Sequence, residues 1–223
     1  MTMLRHMTPF LRKQNTIERL ATITHGSDGE FTLSQALAQV QHLSVPALPR
    51  LKHCKGSPLF VQAMARGRDL RSAIFVRYLS VQDQWTLPNS YESAPPTRVD
   101  SLGITEFPRA HLSSLPYLIS SQYKIPMTSI KHLALRAQGT HFRSLQPAML
   151  RDFPQLQSFE YHLPYALRWG HFVTFLEPNF IAELERNCPT LRRTTLVNYG
   201  PYPRIIEFIR KDSLDSIVID ETW

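Results

Sequence analysis

The groups in this 223-residue chain that could do chemistry are nine histidines, two cysteines and eighteen carboxylates, and their spacing argues against catalysis. His25-Gly-Ser-Asp-Gly29 contains the residue types of a Ser-His-Asp cluster. Adjacent side chains in a Gly-rich turn do not converge on one another, so turn chemistry accounts for them better. Cys54 and Cys188 are too far apart in sequence for a metal half-site or a redox pair, and are expected to be buried structural thiols. No nucleophile elbow, phosphate-cradling glycine loop or zinc-binding His pair at helical spacing is present. Catalytic residues, metal ligands and cofactors are therefore not assigned, and the chain is not expected to be an enzyme. The remaining candidates are suited to recognition. His132, Arg136, Glu160, His162 and Arg193 mix donors, acceptors and both signs of charge, which fits the binding of a protein partner.

The net charge of +7 raises a second possibility, a basic module for nucleic acid or phosphate. The basic residues are scattered, however. The densest groups are Lys52-His-Cys-Lys55, Arg66-Gly-Arg68 with Arg71, and Arg192-Arg193. None forms a long block, and no aromatic residues alternate with them as in single-strand binders. The scatter favours a protein partner over a polyanion. No apolar run is long enough to span a membrane, and the first ten residues lack the apolar stretch of a signal peptide. Two cysteines without a framework fit a reducing compartment, cytoplasm or nucleus.

The candidate residues must be positioned by elements, and one pattern recurs often enough to define them. Apolar, two of anything, apolar, one of anything, apolar is clear at Val99/Leu102/Ile104, Ile130/Leu133/Leu135, Leu156/Phe159/Tyr161 and Leu214/Ile217/Ile219. Looser copies are Leu51/Cys54/Gly56, Leu70/Ala73/Phe75 and Leu191/Thr194/Leu196, and Ile17/Leu20/Thr22 opens the series. The last two apolar positions of each copy share one face of a strand, and one such strand cannot bury that face alone. Stacking neighbours solves the problem. Val40/Leu43/Val45 also fits, but Leu51 is preferred because Pro49 precedes it at the offset of Pro154 before Leu156 and Pro189 before Leu191.

Helix-compatible stretches precede several copies. They cover residues 57–65, with Ser57 as N-cap and Pro58 at the first helical position, and residues 147–153, 178–187 and 203–211. The proline before three of the strands is expected to end a helix and hold the following residues extended. The fold class is therefore α/β, a leucine-rich-repeat-like solenoid of about seven short parallel strands backed by helices. Residues 1–223 form a single irregular domain in this reading, with a surface loop at 80–97 where polar residues and Pro95-Pro96 cluster.

Several of these segments resemble the leucine-rich-repeat region of fungal F-box-type proteins. They are residues 10–20, Leu48-Pro-Arg-Leu-Lys-His-Cys-Lys-Gly-Ser-Pro58 with Gly67-Arg-Asp-Leu70, Phe153-Pro-Gln-Leu-Gln-Ser-Phe-Glu-Tyr161 and Asn187-Cys-Pro-Thr-Leu191. The resemblance implies a non-catalytic interaction module, the substrate-recognition part of a ubiquitin ligase receptor. Nothing resembling the F-box itself precedes the repeats. Either the chain is a fragment, or it binds without recruiting a ligase. The fragment alternative implies an apolar N-terminal patch at Leu4, Met7, Phe10 and Leu11, partly exposed.

Overall fold

The computed structural model describes residues 16–21, 48–56, 58–65, 67–76, 96, 98–108, 115–123, 125–138, 146–163, 178–198, 204–210 and 217–218. Among them, nine strands form one sheet in which each strand lies beside its predecessor in the chain. They are β1 (Arg19–Ala21), β2 (His53–Gly56), β3 (Asp69–Phe75), β4 (Arg98–Pro108), β5 (His132–Gln138), β6 (Ser158–Leu163), β7 (Arg193–Asn198), β8 (Arg204–Ile209) and β9 (Ile217–Val218). β1 to β7 are parallel, whereas β8 and β9 pair antiparallel. The class is α/β with a mostly parallel, unclosed sheet.

Parallel neighbours need a crossover connection, and the helical segments described within these connections are short. α1 (Pro58–Ala65) joins β2 to β3 and packs on both. Between β4 and β5 the chain makes a helical segment over 115–122, whose second part (Leu118–Gln122) is π-helical, and a 3₁₀ turn (Met127–Ser129). A 3₁₀ turn (Pro147–Leu150) precedes β6, and α2 (Pro178–Asn187) precedes β7 and packs on that turn.

The sequence pattern and the strand register coincide. Leu20, Cys54, Ala73, Leu102, Leu133, Phe159 and Thr194, the fourth positions of seven copies, are aligned strand to strand. One pleat further on, Gly56, Phe75, Ile104, Leu135, Tyr161 and Leu196 form a second ladder, also buried. Leu51, Leu70, Val99, Ile130, Leu156 and Leu191 are buried at the strand entrances. Here a backbone device repeats. The carbonyl after the first apolar residue of one copy accepts the N–H groups of the next. Glu18 O accepts from Lys52 and His53, Lys52 O from Arg71 and Ser72, Lys131 O from Gln157 and Ser158, and Gln157 O from Arg192 and Arg193, all at 2.8–3.1 Å. Each copy thereby fixes the register of the next, and a slip of one residue would turn the apolar ladders to the other face.

The helical segments close the core. Val61, Met64, Leu115, Ile119, Leu150 and Leu184 are buried beneath the sheet, and Tyr123 packs on Phe75 with ring centroids 4.4 Å apart. Arg68, 8% exposed, donates from Nη1 to the Met64 carbonyl at 2.5 Å, satisfying an acceptor at the end of α1. Ser129 ties its turn to β4, its Oγ accepting the Val99 N–H at 3.0 Å. Thr190 Oγ1 donates to Leu156 O at 2.9 Å and ties the entrance of β7 to that of β6.

Three expectations are refined or corrected. First, each of the three prolines occupies the second position of a tight turn: Pro189 directly follows the last bonded residue of α2, as expected, Pro154 follows a 3₁₀ turn instead of an α-helix, and the residues before Leu48 lie outside the described ones. Leu51 N–H bonds to Leu48 O, Leu156 N–H to Phe153 O and Leu191 N–H to Cys188 O, at 3.0–3.2 Å. The ring fixes φ for that position, which is why the offset to the strand is constant. Leu48 meets its turn at φ 58°, a left-handed conformation that costs a non-glycine residue about 1–2 kcal/mol and is held by its buried side chain.

Second, the described part of the stretch expected to be helical at 203–211 is a strand. Arg204–Ile209 is β8, running back along β7, and the described residues of the last copy, Ile217–Val218, pair antiparallel to β8. The isoleucines of this segment are β-branched, a residue type restricted at χ1 and enriched in strands, and this outweighs the helical spacing. Third, residues 147–153 form only the 3₁₀ turn Pro147–Leu150, ended by the Phe153-Pro154 turn. The N-terminal patch, Ser57 and the side chains of Ile217 and Ile219 lie outside the described residues. So does the 80–97 loop apart from Pro96, which is buried.

Candidate partner-binding face

Residues that alternate with the buried ladders point away from the core. His132, Ser158 and Arg193 form one row across β5, β6 and β7; Ala134, Glu160 and Thr195 form the next; Arg136, His162 and Val197 the third. All five sequence candidates thus fall on one face of three adjacent strands, because the pleat puts every second residue on the same side. His132, Arg136 and Arg193 are exposed, and Glu160 and His162 are half-buried.

His162 Nε2 hydrogen-bonds Glu160 Oε1, two residues away on β6. This contact, opposed by burial and helped by the nearby His162 and Arg193 charges, holds the Glu160 carboxyl below the usual carboxylate range. Arg193 Nε donates to Glu207 Oε1 on β8, a partner hidden from the sequence reading because 203–211 was expected to be helical. The alternation Ile206 and Phe208 against Glu207 and Ile209 was the signal that could have found it.

The face continues toward β4 with a charge cluster. Arg98 Nε donates to Asp100 Oδ1 at 2.7 Å, and Lys131 Nζ lies 4.0 Å from the same oxygen. Between the charged rows lies a small apolar saddle. Gly103 is aligned with Ile74 on one side and Ala134 on the other, and a Cβ at Gly103 would meet Ile74 Cγ1 at 3.3 Å. A side chain here would press on Ile74, which would have to shift by a few tenths of an ångström to admit it.

Beyond β3 the character changes. Arg19 and His53 share a row of β1 and β2, Lys55 stands one pleat further on, and the Arg71 N–H bonds to the Lys52 carbonyl. The pKa of His53 is held below the ordinary histidine value by burial and then by the Arg19 and Arg71 charges, against an opposing pull from Glu18. Among the described residues, no carboxylate forms an ion pair with Arg19, Lys52, Lys55 or Arg71. Sequence reading found Lys52 and Lys55 only as a short basic group and could not join them to Arg19 and Arg71.

The buried thiols are remote from this face and poorly nucleophilic. Burial pushes Cys54 up to about 12, although Arg68 pulls the other way, and burial also raises Cys188. Among the described residues, no three His, Cys, Asp or Glu side chains gather in a way that could hold a metal ion, and no helix is long and apolar enough to cross a membrane. No family model matches the chain, and no curated protein matches it in sequence.

Proposed function

We propose that the chain is a non-catalytic, leucine-rich-repeat-like module that binds a protein partner on the outer face of β5 to β7, through His132, Arg136, Glu160, His162 and Arg193. One observation carries this reading. Parallel sheets almost always have both faces covered, because crossover helices lie on them. Here one face packs on the helical segments, while the other presents exposed His132, Arg136 and Arg193. Shared register and the repeated carbonyl device support the repeat architecture, in which such an open face is the recognition surface. The resemblance to F-box-type proteins extends the proposal: the partner is a substrate brought to a ubiquitin ligase in the cytoplasm or nucleus.

Co-purification from the cells that produce the protein tests it. A protein partner should be enriched by the wild type, lost with Arg136→Ala/Arg193→Ala, and retained after nuclease treatment. Capture that is abolished by nuclease, or unaffected by the double substitution, refutes the reading. The alternative, a nucleic-acid or phosphate module, draws on the uncompensated cations of β1 to β3. Against it stand Asp100, Glu160 and Glu207 further along the face, which repel a polyanion lying across the sheet.

A further inference from the structure

The outer face of the sheet is electrostatically divided. Along β4 to β8, three ion pairs lie within the molecule: Arg98 with Asp100, Glu160 with His162, and Arg193 with Glu207. Near β1 to β3, Arg19, Lys52, Lys55 and Arg71 form no ion pair among the described residues. We propose that Arg19, Lys52, Lys55 and Arg71 form a docking site for a short acidic segment, rich in Asp and Glu, of the protein partner. This rests on the protein-binding reading above and adds the chemistry of what is bound.

Charge complementarity supports it. Arg19 and Arg71 both act on His53, so the two guanidinium groups flank one imidazole, and Lys55 lies two residues along the same strand. Glu18 is the carboxylate that opposes them there. Asp69, at the start of β3, acts on Arg98 of the neighbouring cluster instead. Strands are spaced about 4.8 Å apart, so the group spans about 10 Å across three strands and about 10 Å along the chain from Lys52 to Lys55. An extended peptide presents side chains on one side about every 7 Å, so two or three alternate carboxylates fill the site. Arginine forks suit carboxylates in two-point contact, and the half-buried His53 lets the site be partly desolvated.

A continuous polyanion fits less well. One strand beyond Arg71, the cations Arg98 and Lys131 are already engaged by Asp100, so the run of cations without an ion pair stops at β3.

Fluorescence anisotropy of the full chain with a labelled ten-residue Asp/Glu-rich peptide tests the proposal. A Gln/Asn peptide and a ten-nucleotide single-stranded DNA serve as comparisons. Expected results are binding of the acidic peptide alone among the two peptides, weakened at least tenfold as salt rises from about 50 to 200 mM, the behaviour of neutralised charges. Lys55→Glu/Arg71→Glu should weaken it at least tenfold. Arg151→Glu/Arg186→Glu, which changes net charge equally at exposed positions outside the proposed site, should change it less than twofold. Absence of peptide binding, equal losses in the two double variants, or tighter binding of the DNA overturns the proposal. If the β5 to β7 variants still lose a co-purified protein while the peptide fails, this inference alone is refuted; if both fail, the protein-binding reading falls with it.

Discussion

Leu133→Ala probes the register on which every residue placement above depends. Leu133 is 1% exposed and sits on β5, aligned between Leu102 and Phe159, both fully buried. The substitution removes about three methylene equivalents, a transfer loss of about 2.4 kcal/mol at about 0.8 kcal/mol each. Strands β4 and β6 are hydrogen-bonded to β5 and cannot collapse into the gap. A residual cavity of about 70 Å³ then adds about 1.7 kcal/mol at about 24 cal/mol per Å³. The sum, about 4 kcal/mol, lowers the urea midpoint by about 1.5 M if the slope is about 2.5 kcal/mol/M. Equilibrium unfolding followed by circular dichroism measures it, with His132→Ala as internal control. His132 is exposed on the same strand, so its loss should cost less than about 0.5 kcal/mol. Should Leu133→Ala prove too unstable to purify, Leu133→Val, expected at about 1 kcal/mol, replaces it. Equal midpoint shifts for the two positions, or a larger one for His132→Ala, would mean that β5 presents the opposite face to the core.

Further consequences concern single groups. Cys54, with its thiol pushed up to about 12, is about a thousandfold less ionised at pH 8 than an ordinary cysteine and should react with a disulfide reagent only after unfolding; rapid labelling of the native protein contradicts that burial. Thr194 occupies a core ladder position beside Phe159, and its hydroxyl has no partner among the described residues. Thr194→Val should therefore raise stability by about 1 kcal/mol in the same urea assay, and a loss would show that the hydroxyl is satisfied. Glu160 has a lowered pKa in the folded chain, so its contribution to stability is present above the ordinary carboxylate pKa and is lost as pH falls through the lowered value. His162→Ala should move the Glu160 carboxyl back upward in an NMR titration; an unchanged midpoint would remove the hydrogen bond as its cause.

The strands β1 to β7 were legible in sequence because stacking imposes one pattern on every copy. Leu102, Leu133 and Phe159 recur at matched positions since each must bury one face against the next. The same alternation determined that His132, Arg136, Glu160, His162 and Arg193 share the other face. It could not determine the pairing of Arg193, which depends on the direction taken by the strand that follows β7. Glu207 reaches Arg193 only because the polypeptide reverses after β7, where isoleucine-rich residues 204–209, read as helical, pair instead with the edge of β7. The prolines tell the same story on a smaller scale. Their constant offset was visible, but whether each ends a helix or opens a turn was decided by the bonds from Leu51 to Leu48, Leu156 to Phe153 and Leu191 to Cys188. Likewise, Arg19, Lys55 and Arg71 are scattered cations in sequence. Only parallel stacking, which sets distant residues about 4.8 Å apart, turns them into one field.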